Sequence, residues 1–197
     1  MNSNSVRLVE MSPRDGLQNE KQVIDIATKV ELVKRLTAAS LTDIEVGAFV
    51  SPKWVPQMAG SAEVLQAVLP ETSARYWVLV PNLRGYQEAR QAGATRVAVF
   101  TAASESFSQK NTNVSIAESL TRIAEVTAAA QKENIPVRGY ISCALGCPFE
   151  GAIAPQAVST VTSELFRLGC AEISIGDTIG TGTPQTTQAL FDLLAAA

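Results

Sequence analysis

The densest run of chemically capable side chains is SPRDGLQN, residues 12–19, which follows a short apolar run at Arg7–Met11. An aspartate at the end of a strand is a hard oxygen ligand suited to Mg²⁺ or Mn²⁺. A neighbouring guanidinium offers fixed donors to a carboxylate or a developing enolate. Arg14 and Asp15 fit that pair; a surface ion pair on a turn shaped by Pro13 and Gly16 fits the same spacing. Glu45 stands among Ile44, Val46 and Gly47. A carboxylate there is costly to bury unpaired, so it is expected to meet a cation, either Arg14 or a metal. Tyr140 and Ser142 alternate onto one face of a run whose other face holds Ile141 and Cys143. Ser174, Asp177 and Thr178 lie in ISIGDTIGTGTP, whose glycines either bring backbone amides to a phosphate or close a tight turn. Cys143 and Cys147 are spaced C-x3-C, which is neither the zinc-ribbon nor the redox-dithiol spacing. Cys143 and Cys170 read as small buried apolar residues, and Cys147 falls in a loop.

There is no histidine among the 197 residues. Acid–base and metal chemistry must therefore come from carboxylates, thiols, Lys, Arg or water. A formal net charge of −3 gives no basic footprint for nucleic acid and no polybasic patch for a membrane. No apolar run reaches the about 18 residues of a membrane span, and the N-terminus has no secretory apolar core. Three cysteines are too few for a disulfide scaffold, so reduced thiols and a cytoplasmic location are expected.

These residues need a frame. Apolar, β-rich runs recur at Arg7–Met11, Asp43–Val50, Arg75–Val80, Arg96–Thr101, Val137–Ala144 and Glu172–Gly176. Helical patterns lie between them, over Ile24–Ala39, Ser115–Gln131 and Pro155–Leu168, and from Thr183-Pro184 to about Leu194. Strand–helix alternation predicts βαβ units and a parallel sheet. The strands read as continuous apolar runs, as expected where both faces are covered. Each ends in polar, Gly- or Pro-containing sequence, as do the strands that build the active-site face of a (β/α)8 barrel. The candidate residues are expected to converge there. Such a barrel takes about 250 residues, so about six of eight units are expected, truncated at the C-terminus; a naturally open six-unit sheet is the alternative.

Six blocks together resemble the 3-hydroxy-3-methylglutaryl-CoA lyase family: SPRDGLQNEK (12–21), FVSPKWVPQMA (49–59), PNLRGYQEA (81–89), AASESFSQKN (102–111), RGYISCALGCPFEG (138–151) and EISIGDTIGTGTP (172–184). They stand in family order over nearly the whole chain. The resemblance implies one partial, pyruvate carboxyltransferase-like TIM-barrel catalytic domain over 1–197. It implies Mg²⁺- or Mn²⁺-dependent retro-aldol cleavage of (S)-3-hydroxy-3-methylglutaryl-CoA to acetyl-CoA and acetoacetate, in leucine degradation and ketogenesis. In the family, the arginine matching Arg14 polarises the thioester carbonyl, the aspartate matching Asp15 binds the metal, and the glutamate matching Glu45 is functional beside them. The candidate sets are thus Arg14 and Glu45 for catalysis, Asp15 for metal, and Arg14, Gln18, Tyr140, Ser142, Ser174, Asp177 and Thr178 for substrate. The implied partners are an acyl-CoA and, at full length, a second copy in a homodimer, with no nucleic acid or membrane.

The family's His-x-His metal ligands, its later Asn ligand and its Gly-rich loop with the reactive Cys have no counterpart here, and the flanks of Cys147 match a different block. Residues 1–197 alone are therefore expected to be inactive. Ala48 stands where some members have Ser. The alternatives are a lyase acting on another 3-hydroxyacyl-CoA or 2-oxo acid, and a non-catalytic CoA-binding fragment.

Overall fold

The computed structural model describes residues 6–70 and 73–196. Its five strands are β1 (Asp43–Ala48), β2 (Arg75–Leu79), β3 (Val97–Ala102), β4 (Val137–Ser142) and β5 (Glu172–Ile175). They form one sheet in chain order, and the β1–β2 and β4–β5 pairs are parallel. Helices intervene, as the alternating pattern predicts. The chain divides into two compact units, Met1–Val97 and Ala98–Ala197.

In the first unit, α1 (Ile26–Ala38) starts where the Asp25 carboxylate accepts the Thr28 N–H. That satisfies a donor the helix itself leaves open. α2 (Ser61–Val68) precedes β2, and α3 (Leu83–Gln91) starts at Asn82, which accepts the Gly85 N–H at 3.0 Å. All six residues of β1 are buried, as a strand covered on both faces requires. Its register with β2 shifts between Glu45 and Gly47. At the start of β1, buried Asp43 accepts from Arg75 and, at 3.2 Å, from the Trp77 indole.

One strand expectation needs correction. The run Arg7–Met11 contributes a single rung, a parallel bridge between Glu10 and Ile44. The Glu10 N–H donates to Asp43 O at 2.8 Å, and the Glu10 carbonyl accepts from the Glu45 N–H at 2.9 Å. The earlier part of the run stays in solvent, Leu8 being 68% exposed. Its continuation is taken by Pro13, which has no N–H for a ladder.

In the second unit, α4 (Glu105–Thr112) is capped by Ser104, and α5 (Ile116–Lys132) opens with a reciprocal Ser115–Glu118 capping box. α6 (Pro155–Leu168) and α7 (Pro184–Ala196) both start with proline in the first turn, where a missing N–H costs nothing. Tyr140 on β4 pairs in register with Ser174 on β5. β5 is half-exposed along its length.

Candidate active site

In the first unit, the chain leaves the Glu10 bridge and winds into a π-helical turn, Ser12–Gly16. The Met11 carbonyl accepts from the N–H groups of Arg14, Asp15 and Gly16 at 2.8–3.3 Å. The Glu10 carboxylate accepts the Ser12 N–H at 2.7 Å. That bond, with a second from the Ser12 hydroxyl, outweighs burial and holds Glu10 below the usual carboxylate range. The turn thus aims Arg14 back toward the strand it has just bridged. Arg14 Nε donates to Glu45 Oε1 at 2.5 Å, and Arg14 Nη1 to Asp15 Oδ1 at 2.7 Å. Glu45 is fully buried and the Arg14 side chain 10% exposed, whereas the Asp15 side chain is 64% exposed. The expected pairing of Glu45 with a cation is therefore met by Arg14. Gln18 is half-buried just past the turn.

Two residues absent from the sequence reading anchor the segment that follows this turn. The Gln57 side chain accepts the Ile24 N–H at 2.9 Å and donates to Glu20 O at 3.1 Å and Gln22 O at 2.9 Å. Buried Lys29 donates to the carbonyls of Gln57 and Ala59. The segment after the SPRDGLQN turn is thereby tied to the loop after β1. The available signal was Lys29 itself, four residues before Val33 on the buried face of α1. Burial pulls its ammonium below the usual lysine range against the opposing charge of Asp25.

In the second unit, Tyr140 and Ser142 are half-buried on β4, while Ile141 and Cys143 are fully buried, the alternation the sequence predicts. The Tyr140 hydroxyl accepts from Arg138 at 3.3 Å, and Arg138 also pairs with Glu172. Ser174 is half-buried; Asp177 and Thr178 are exposed. The glycine loop is organised from within. The Asp177 carboxylate accepts the N–H groups of Thr181 and Gly182 at 3.1 and 2.8 Å, and Thr178 Oγ1 accepts the Cys143 N–H at 2.7 Å. Two amides that could have met a phosphate are therefore already bonded.

As to a metal, no group of three His, Cys, Asp or Glu residues is placed to hold an ion among the described residues. Asp15 offers one exposed carboxylate, and Glu45 is tied to Arg14. This donor set does not by itself make a metal centre.

Parallel strand pairs alternating with helices make this an α/β protein, of the (β/α)8 type of the solved structures it resembles. A hydroxymethylglutaryl-CoA lyase from Pseudomonas aeruginosa superposes with a TM-score of 0.94 at 54% identity, over 97% of this chain and 64% of that one. An HMG-CoA lyase from Acinetobacter baumannii, solved with coenzyme A and 3-methylmalate, superposes at 0.91 with 29% identity, over 95% of this chain and 61% of that one. Residues 5–197 match the HMGL-like family model, and the chain belongs to that family. Among curated relatives, a 3-hydroxy-3-isohexenylglutaryl-CoA/hydroxymethylglutaryl-CoA lyase of Pseudomonas aeruginosa is 54% identical over 97% of this chain, and a cytoplasmic 3-hydroxy-3-methylglutaryl-CoA lyase of mouse 54% over 95%. A mitochondrial hydroxymethylglutaryl-CoA lyase of Bos taurus is 52% identical over 97%. The chain spans 64%, 54% and 58% of these relatives' own lengths. No helix among the described residues is long and apolar enough to cross a membrane.

Proposed function

We propose that this chain supplies the substrate-polarising part of a carbon–carbon lyase that cleaves (S)-3-hydroxy-3-methylglutaryl-CoA to acetyl-CoA and acetoacetate, acting in the cytoplasm as a homodimer. The observation that carries the reading is the Arg14–Glu45 pair at 2.5 Å. Retro-aldol cleavage leaves a carbanion equivalent whose charge rests on the thioester oxygen. A guanidinium fixed before the reaction stabilises that oxygen without reorganising. Glu45 holds Arg14 in orientation, so it is a positioning residue. Gln18, Tyr140, Ser142, Ser174, Asp177 and Thr178 are proposed as acyl-CoA contacts; that a relative of this fold takes up coenzyme A supports the ligand class. A divalent cation, Mg²⁺ or Mn²⁺, would draw on Asp15 as one oxygen ligand. The described donors do not complete its shell, so no step is assigned through it.

The test is a chimera joining residues 1–197 to the matching remainder of the Pseudomonas aeruginosa relative. The chimera should release acetoacetate from the thioester in a divalent-cation-dependent way, and residues 1–197 alone should not. Arg14→Gln in the chimera should lower kcat by about 10²–10³, the loss typical of one oxyanion donor. A folded chimera without cleavage would overturn the reading. The dual description of the Pseudomonas relative favours a second one, a longer 3-hydroxyacyl group on the same thioester. Higher kcat/KM for the isohexenyl substrate would select it.

A further inference from the structure

Glu45 fixes the tip of Arg14, but a long side chain keeps its aim only where its backbone is also held. The chain after the Ser12–Gly16 turn has little of its own to hold it. Residues 20–25 belong to no helix or strand, and Val23 is 65% exposed. The hold comes from Gln57, which is 4% exposed. Its amide accepts the Ile24 N–H and donates to Glu20 O and Gln22 O, at 2.9, 3.1 and 2.9 Å. Turned end for end, the amide would set its NH₂ against an N–H and its oxygen against two carbonyls, so only one orientation satisfies it. All three partners are main-chain groups. Gln57 therefore fixes the path of the segment rather than its side chains. From Glu20 a series of hydrogen bonds leads back to the turn. The Glu20 N–H donates to Leu17 O at 3.0 Å, and the Leu17 N–H donates to the carbonyls of Arg14 and Ser12.

On its other side, Gln57 is tied to the strand that carries Glu45. It sits in the short turn Pro56–Met58. The Ser61 hydroxyl donates to the Met58 carbonyl at 2.7 Å and accepts the Ala48 N–H, at the end of β1, at 3.0 Å. Gly47 permits that approach, since a Cβ there would lie 2.5 Å from Ser61 Oγ. Buried Lys29 adds a second tie, to the carbonyls of Gln57 and Ala59. The path closes on itself where Glu45 meets Arg14 at 2.5 Å. We propose that Gln57 is a positioning residue for the lyase reaction, setting the backbone of Arg14 as Glu45 sets its side chain. The proposal rests on the lyase reading above. Gln57 acts only through Arg14: its amide is spent on main chain, and its effect is to keep the guanidinium where the thioester oxygen gains charge.

The experiment has two arms, both in the chimera of residues 1–197 with the remainder of the Pseudomonas aeruginosa relative. Gln57→Met keeps the length of the side chain and removes all three bonds. It should lower kcat by about 10–10²-fold and change KM by less than about threefold, the pattern of an interaction made in the transition state. In an Arg14→Gln background the same substitution should change kcat by less than about twofold, because the group it positions is gone. A purely structural role would lower activity equally in both backgrounds. The second arm reads no activity. Hydrogen exchange resolved to single amides should speed up about tenfold or more at Leu17 and Glu20, whose N–H groups Gln57 does not touch. If Gln57→Met does not fold, Ser61→Ala, which breaks the tie to β1, carries both arms with the same directions. An inactive wild-type chimera overturns the lyase reading, and exchange alone then decides the brace. With an active chimera, an equal loss in both backgrounds, a change confined to KM, or faster exchange at Ile24 without Leu17 and Glu20 overturns the proposal.

Discussion

At the scale of single residues, the outcome turns on how much water each charge retains. Removing one partner of a buried pair leaves the other charge uncompensated, at a cost of about 3–5 kcal/mol. Glu45→Ala should lose stability of that order in urea unfolding, because Arg14 remains buried beside it. Asp15→Asn touches the same guanidinium but lies in solvent, so the change should stay within about 0.5 kcal/mol. Asp43 gives the pH dependence. Burial alone would raise its carboxyl, but the Arg75 and Trp77 hydrogen bonds and the charges of Arg75 and Arg7 hold it below the usual range. A depressed carboxylate stabilises the fold above its unfolded pKa of about 3.9, and that stability is lost as pH falls through the folded value. Thermal melts should therefore drop steeply below about pH 4, and Asp43→Asn, less stable at neutral pH, should flatten that acid limb. The Arg14–Glu45 contact was legible from sequence because a carboxylate among apolar strand residues needs a cation. Gln57 and Ser104 were not, since each bonds backbone or sulfur that only folding brings near.

At the scale of elements, local chemistry was readable where it acts within one turn. The first-turn proline Pro155, the Thr183 cap with Pro184 and the start near Ser115 were visible because a helix start needs only its neighbours. The Arg7–Met11 run misled because strand formation also needs cover and a partner, which the sequence does not display. The short helices α2, α3 and α4 gave too few turns for a clear period. Replacing Ser115 by Ala removes one side of the capping box and should cost about 1 kcal/mol in chemical unfolding. Gly85 in α3 tests packing against propensity. Alanine there gains about 1 kcal/mol of helix propensity, yet its Cβ would lie 2.6 Å from the Phe49 carbonyl oxygen and 2.8 Å from Pro81. Backbone and a proline ring yield little, and overpacking costs about 1–3 kcal/mol. Gly85→Ala should therefore be net destabilising by calorimetry, the reverse of an exposed helical glycine.

At the scale of the whole molecule, the decisive facts are an edge and a charge. β5 stands at the end of the strand order and is half-exposed throughout, whereas β1 is buried along its length. An edge strand presents N–H and C=O groups to any matching strand. The same unit exposes Phe166 by 52%, Ile179 by 41% and Phe191 by 51%. Exposed apolar residues mean little singly, but they add to the open edge area that water leaves readily. Against this acts charge repulsion, and a net −3 at pH 7 is a weak defence. The chain should therefore self-associate with rising concentration, most strongly near its pI of about 5.1, where the remaining repulsion vanishes. Sedimentation velocity over a concentration series, run well above that pH and close to it, measures this directly. Phe191→Lys and Phe166→Lys test the apolar contribution separately from the edge. Both should shift association to higher concentration, and a urea midpoint unchanged within about 0.5 kcal/mol would show that the fold is untouched. A sedimentation coefficient constant across the series at both pH values would mean that β5 is protected in solution and that edge and patch do not govern assembly.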